Sequence, residues 1–113
     1  MDGIRFPFSP YTLISVVDSA TPLVDIVDTK TELNMPVIQN MTLSLRASKD
    51  LLPGSEVVVN IDNGATARNV SFGSAGNTIK APNLTGVINN TSRIKLTWTG
   101  ARFVADNAWI SIP

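Results

Sequence analysis

Residues 93–110 read RIKLTWTGARFVADNAWI; they hold both tryptophans of the chain, and their rhythm decides the fold class. Ile94, Leu96 and Trp98 alternate with Arg93, Lys95, Thr97 and Thr99. A period of two sends successive side chains to opposite faces of a strand, so this stretch predicts one dry and one wet face. Thr99-Gly100-Ala101 supplies a turn, and Phe103-Val104 begins the return strand. On this parity Trp98 points into the dry face with Ile94 and Leu96. Trp109 and Ile110 are adjacent and must face opposite ways, so Trp109 is read as core or as subunit interface.

The same period recurs upstream. Met41, Leu43 and Leu45 alternate with Thr42, Ser44 and Arg46; Val57, Val59 and Ile61 with Glu56, Asn60 and Asp62; Val70 and Phe72 with Asn69 and Ser71. One wet and one dry face per strand is the usual mark of antiparallel sheets. Asp62-Asn63-Gly64 predicts a hairpin, because Asn-Gly accepts the positive φ of a type I′ turn. Pro53-Gly54 reads as a turn, and residues 73–77 as a flexible loop. Tyr11 to Val17 is expected to pair with Leu23 to Val27. Asp28 to Leu33 is the one place where a helical turn is plausible, limited by Pro36. The sum predicts an all-β chain: an antiparallel sandwich or jelly-roll-like small barrel of about eight strands. Residues 11–113 form the single β-domain, preceded by an extended N-terminal arm over residues 1–10.

Composition narrows the function. A chain of 113 residues and 12.1 kDa buries about two-thirds of its unfolded surface, which makes a real but thin core. With no cysteine and no histidine, disulfides are excluded and zinc, haem and iron–sulfur ligation are disfavoured; no cofactor or metal is expected. The same absences remove the common nucleophile–base pairs. A carboxylate pair would remain, but the acidic residues flank turns without an apolar setting that would raise a pKa. Turn chemistry also explains the oxygen-rich corners around Asp25, Asp28 and Asp62-Asn63.

Nine basic and nine acidic residues are dispersed along the chain, so no phosphate-neutralising patch forms and no nucleic-acid partner is expected. No apolar run of membrane-spanning length occurs, and residues 1–10 lack the apolar centre of a secretory signal; no membrane partner is expected. Net charge zero suits a protein that ends up assembled. Asn-x-Ser/Thr occurs at Asn40, Asn69, Asn83, Asn89 and Asn90, an excess that reads as Thr/Asn-rich wet strand faces. Gly73-Ser74-Ala75-Gly76 lacks the lysine and the helix of a phosphate loop and reads as a connection between strands.

Two stretches together resemble a known group. LLPGSEVVVNIDNGATARNVSFG (residues 51–73) and RIKLTWTGARFVADNAW (residues 93–109) are similar to small β-domains of tailed-bacteriophage virion proteins: fibre, head-fibre and capsid-decoration modules. The matching positions are Val57, Val59, Asn63, Gly64, Val70 and Phe72 in the first stretch, and Ile94, Leu96, Trp98, Gly100 and Phe103 in the second. Phe103 stands where that group commonly has Trp. The resemblance implies a non-enzymatic virion protein, made in the host cytoplasm, self-associated as a trimer and docked on a capsid or other virion protein through a short N-terminal segment. Phe6, Phe8 and Tyr11 are the expected docking anchors. The alternatives are a carbohydrate-binding, lectin-like module using an exposed Trp, and an adhesin- or pilin-type subunit. Trp109 with Asp106 and Asn107 is the best cluster for a glycan or for a subunit interface.

Overall fold

Eleven strands and no helix form among the described residues of this computed structural model, which are 12–15, 20–37, 40–66 and 68–113. They are β1 (Thr12–Ser15), β2 (Leu23–Ile26), β3 (Lys30–Val37), β4 (Met41–Ala47), β5 (Glu56–Asn63), β6 (Asn69–Phe72), β7 (Ile79–Lys80), β8 (Leu84–Thr85), β9 (Thr91–Trp98), β10 (Phe103–Ala105) and β11 (Ile110–Ile112). The first sheet runs β1-β3-β5-β9-β10-β7, with β11 also paired to β9; the second runs β2-β4-β6-β8. The all-β class is therefore as expected, and its two-sheet form is the sandwich-like one. The N-terminal arm over residues 1–10, with Phe6 and Phe8, and Tyr11 beyond it, lies outside the described residues.

Strand direction departs from the antiparallel expectation. β1–β3, β3–β5, β2–β4, β4–β6 and β7–β10 pair in parallel; only β5–β9, β9–β10, β9–β11 and β6–β8 are antiparallel. The physical reason lies in the connections. From β1 to β6 every strand is followed by one in the other sheet, so same-sheet neighbours are two elements apart and return in the same direction. Alternating burial reports which face of a strand is dry, and a two-sheet coil gives parallel strands one dry face as surely as a hairpin does. The hairpin predicted at Asp62-Asn63-Gly64 is accordingly replaced by a crossing between sheets. Asn63 is the buried last residue of β5, and its Oδ1 accepts the Arg68 N–H at 3.0 Å. The pairing expected between Tyr11–Val17 and Leu23–Val27 gives way for the same reason, because β1 and β2 belong to different sheets.

Between the sheets the parity holds. Leu33, Val59 and Ile94 form one row across β3, β5 and β9, and Val57 with Leu96 a second; all five are fully buried. The second sheet answers with Val24 beside Leu45 and with Met41, Val70 and Leu84 in line. Trp98, 7% exposed, closes the core against Phe103 at a ring separation of 4.8 Å. The candidate helical turn at 28–33 is instead the entry to β3, which runs through Pro36. That proline stands opposite Asp62 of β5 in the β3–β5 register.

Turn chemistry decides the remaining links. Leu52-Pro53-Gly54-Ser55 is a Pro-Gly turn with Gly54 at φ 93° and Ser55 N–H donating to the Leu52 carbonyl at 3.1 Å. It is knitted to the end of β9: Gly54 N–H donates to Trp98 O at 2.7 Å, and Trp98 N–H to Ser55 O at 2.8 Å. The Thr99–Arg102 loop then turns β9 into β10, with Gly100 at φ 98°. Residues 73–77, expected as a flexible loop, are tied along β4. Gly73 and Asn77 donate to the Leu43 and Leu45 carbonyls at 2.8 Å each, and Asn77 Oδ1 accepts the Ala47 N–H at 2.7 Å.

Candidate functional site

The predicted cluster of Asp106, Asn107 and Trp109 occupies the break between β10 and β11, two short strands that share β9 as partner. The break is stitched to Lys95 on both of its backbone groups. Asp106 N–H donates to Lys95 O at 2.9 Å, and Asn107 Oδ1 accepts Lys95 N–H at 3.3 Å, standing in for a ladder carbonyl. Asp106 carboxylate oxygens accept from Thr97 Oγ1 at 2.8 and 3.0 Å and lie 3.5 Å from Lys95 Nζ. Trp109 donates its indole N–H to Pro82 O at 2.8 Å and stacks on Phe72, with ring centroids 6.1 Å apart and planes at 12°. Since Phe72 ends β6 of the other sheet, Trp109 ties the two sheets together at this edge. A glycan at this cluster would have to use the part of the indole that Phe72 and Pro82 leave free.

Asn107→Ala removes the acceptor that replaces a strand carbonyl and leaves the half-buried Lys95 N–H without it. The expected loss is about 1 kcal/mol, read as a lower urea midpoint at unchanged slope. A change indistinguishable from zero would show that the side chain does not complete the ladder.

The outer face of the larger sheet is a polar network. Asn60 Nδ2 donates to Glu32 Oε2 and to Asn34 Oδ1, both at 2.9 Å, while Arg93 lies 3.7 Å from Glu32 and Lys95 3.7 Å from Glu56. Thr91 Oγ1 donates to Asp62 at 2.7 Å. Opposite charges face one another here, and that pairing leaves no single-sign field for a charged ligand. On the second sheet Arg46 Nε donates to Asp25 Oδ1 at 2.6 Å. That hydrogen bond, opposed by desolvation and helped to a lesser degree by the guanidinium charge, holds the Asp25 carboxyl below its usual value. A lowered carboxyl pKa stabilises above the unfolded value, and the contribution is lost as pH falls through the folded one. Both groups are solvated, so the effect is small.

One arrangement went unread in the sequence. The outer face of the second sheet carries a concavity of about 530 Å³ among Asn40, Thr42, Asn69, Ser71, Asn83 and Thr85, with Ala20 and Thr21 at one side. These six residues are the flanks of three of the five Asn-x-Ser/Thr triplets. The triplets themselves were visible; their adjacency follows from the β4-β6-β8 order, which the alternation does not encode.

Among the described residues no group of three or more carboxylates is placed to hold a metal ion, and no helix is long and apolar enough to cross a membrane. Asp106, Asn107 and Trp109 each make intramolecular contacts, to Thr97, Lys95, Pro82 and Phe72. Phe6, Phe8 and Tyr11 lie outside the described residues. No protein-family model matches the chain, and no curated protein matches it either.

Proposed function

We propose that the chain is a non-enzymatic structural module of a phage particle, a capsid-decoration or head-fibre subunit that self-associates and docks through its N-terminal segment. The observation that carries this reading is the open start of the two-sheet coil. β1 and β2 end their respective sheets, and among the described residues nothing pairs with their outer edges. Leu23 and Val27, 40% and 61% exposed, lie on and just after the β2 edge. Unpaired strand edges with exposed apolar side chains are templates for another chain, and proteins that remain alone blunt them. The segment carrying Phe6, Phe8 and Tyr11 immediately precedes β1 in the sequence. The resemblance of residues 51–73 and 93–109 to virion β-domains supports the same reading, in which the protein is made in the host cytoplasm and ends up in the virion.

Light scattering behind size exclusion, at two protein concentrations, tests self-association. The expected result is a stable species near three times 12.1 kDa. The double variant Phe6→Ala/Phe8→Ala is expected to keep the β-sheet circular dichroism of the parent and to lose docking on particles. A monomer at both concentrations, or a double variant that decorates particles normally, would overturn the reading.

A further inference from the structure

Asn40-Met41-Thr42, Asn69-Val70-Ser71 and Asn83-Leu84-Thr85 are three copies of one local pattern, and the second sheet sets them side by side. Met41 is in register with Val70, and Val70 with Leu84, so the three central residues all point into the core and are buried. Their polar neighbours therefore share the outer face. Thr42 pairs with Ser71 in the parallel direction, and Asn69 with Thr85 in the antiparallel one. Two internal bonds fix the arrangement: Asn40 Oδ1 accepts the Asn69 N–H at 3.0 Å, and Thr42 Oγ1 lies 3.1 Å from Ser71 Oγ. The side-chain amides of Asn69 and Asn83 and the hydroxyl of Thr85 bond no other described residue and face the concavity of about 530 Å³.

We propose that this concavity is a binding site for a neutral, polyhydroxylated ligand, an oligosaccharide segment. The chemistry of the lining selects that class. Among the described residues no charged side chain lines it, so these residues offer a phosphate or sulfate no counter-charge and a cation no carboxylate. Each asparagine offers an acceptor and two donors in one plane, the combination that matches vicinal hydroxyls able both to give and to receive. Neighbouring strands stand about 4.8 Å apart, close to the length of one pyranose residue, so adjacent triplets meet adjacent sugars. Among the described residues no aromatic ring lines the site, and affinity without stacking is weak. Repetition of the site in an oligomer would raise avidity without new contacts. The site lies on the opposite sheet from the β10–β11 edge and stands independently of the assembly reading.

The test is a two-dimensional ¹⁵N–¹H titration of the full chain with cellotetraose, maltotetraose, mannotetraose and chitotetraose, following the asparagine side-chain amides. At least one sugar is expected to shift the Asn69 and Asn83 amide signals saturably. Asn69→Ala/Asn83→Ala should weaken that binding at least about tenfold, and so, in part, should the single variant Thr85→Ala. Asn60→Ala, on the outer face of the other sheet, should leave it unchanged. All the substituted groups lie on outer sheet faces, and retained spectral dispersion reports an intact fold. No shift at these amides with any of the four sugars overturns the proposal. So does a shift confined to the Trp109 region, or one that follows protein concentration without sugar, which would make this face a contact between copies.

Discussion

Phe103→Ala is expected to lower the unfolding free energy by about 3–5 kcal/mol. Phe103 is fully buried, sits opposite Trp98 in the β9–β10 register and also pairs with Ile79 of β7. Truncation removes the apolar surface of one ring and leaves a cavity against another, 4.8 Å away and tilted at 46°. Aromatic pairs in such offset geometry add about 0.5–1.5 kcal/mol beyond the area they bury. The loss would be a large share of the roughly 5–15 kcal/mol that holds a domain folded. Urea unfolding followed by tryptophan fluorescence should show a much lower midpoint with the slope retained. A loss below about 1 kcal/mol, the ordinary surface-to-boundary range, would mean that Trp98 and Phe103 do not share a packed core.

The inward face of Trp98 was legible in the sequence, and the reason is local. Whether a side chain is wet or dry follows from alternation, which needs only the residue itself and its neighbours. Val57, Val59, Ile61, Ile94, Leu96 and Trp98 could thus be assigned to the interior one by one, and all six are buried. The Thr99–Arg102 turn was legible for the same reason. Which strand lies beside which was not. Met41 and Val70 each read as a core residue, but nothing in their separate stretches says that they stand in one line, or that Leu84 joins it. That line depends on the coil returning to the same sheet every second strand. The polar concavity above it inherits the same illegibility: Asn40, Asn69 and Asn83 were noticed as repeated triplets and understood only as wet strand faces. Asp106 and Asn107 show a third case. Their neighbourhood to Trp109 was read from the sequence, whereas the use of Asn107 Oδ1 as a substitute ladder acceptor depends on the length of the break between β10 and β11.

Gly86→Ala, by contrast, is expected to cost about 3 kcal/mol at a residue to which the sequence drew no attention, while Gly64→Ala, within the strongest turn signal of the chain, should be nearly neutral. The Asn63-Gly64 pair suggested a glycine needed for positive φ. Gly64 has no positive φ, and a Cβ added there meets nothing within 4 Å. Left-handed backbone appears instead at Asn89, with φ 60°, whose N–H donates to Gly64 O at 3.0 Å. Asn63 in turn uses its Oδ1 to hold the Arg68 N–H and its own N–H to reach Asn90 O at 3.2 Å, so the 64–68 and 86–90 segments are packed on one another. Gly86 lies where they touch. A Cβ there would run into the Arg68 carbonyl and lie 2.6 Å from Asn63 Oδ1. Those atoms are backbone and a bonded buried amide, with no flexible side-chain end to swing aside. Overpacking of this kind costs about 1–3 kcal/mol, and parting Asn63 Oδ1 from Arg68 N–H adds about 1 kcal/mol. For Gly64→Ala the reduced freedom of the unfolded chain contributes about 0.4–1 kcal/mol in the stabilising direction, where the backbone tolerates the change. Thermal melts of the two single variants beside the parent decide the matter. A large drop for Gly64→Ala and none for Gly86→Ala would restore the hairpin at Asn63-Gly64, with β5 and β6 as antiparallel neighbours in one sheet.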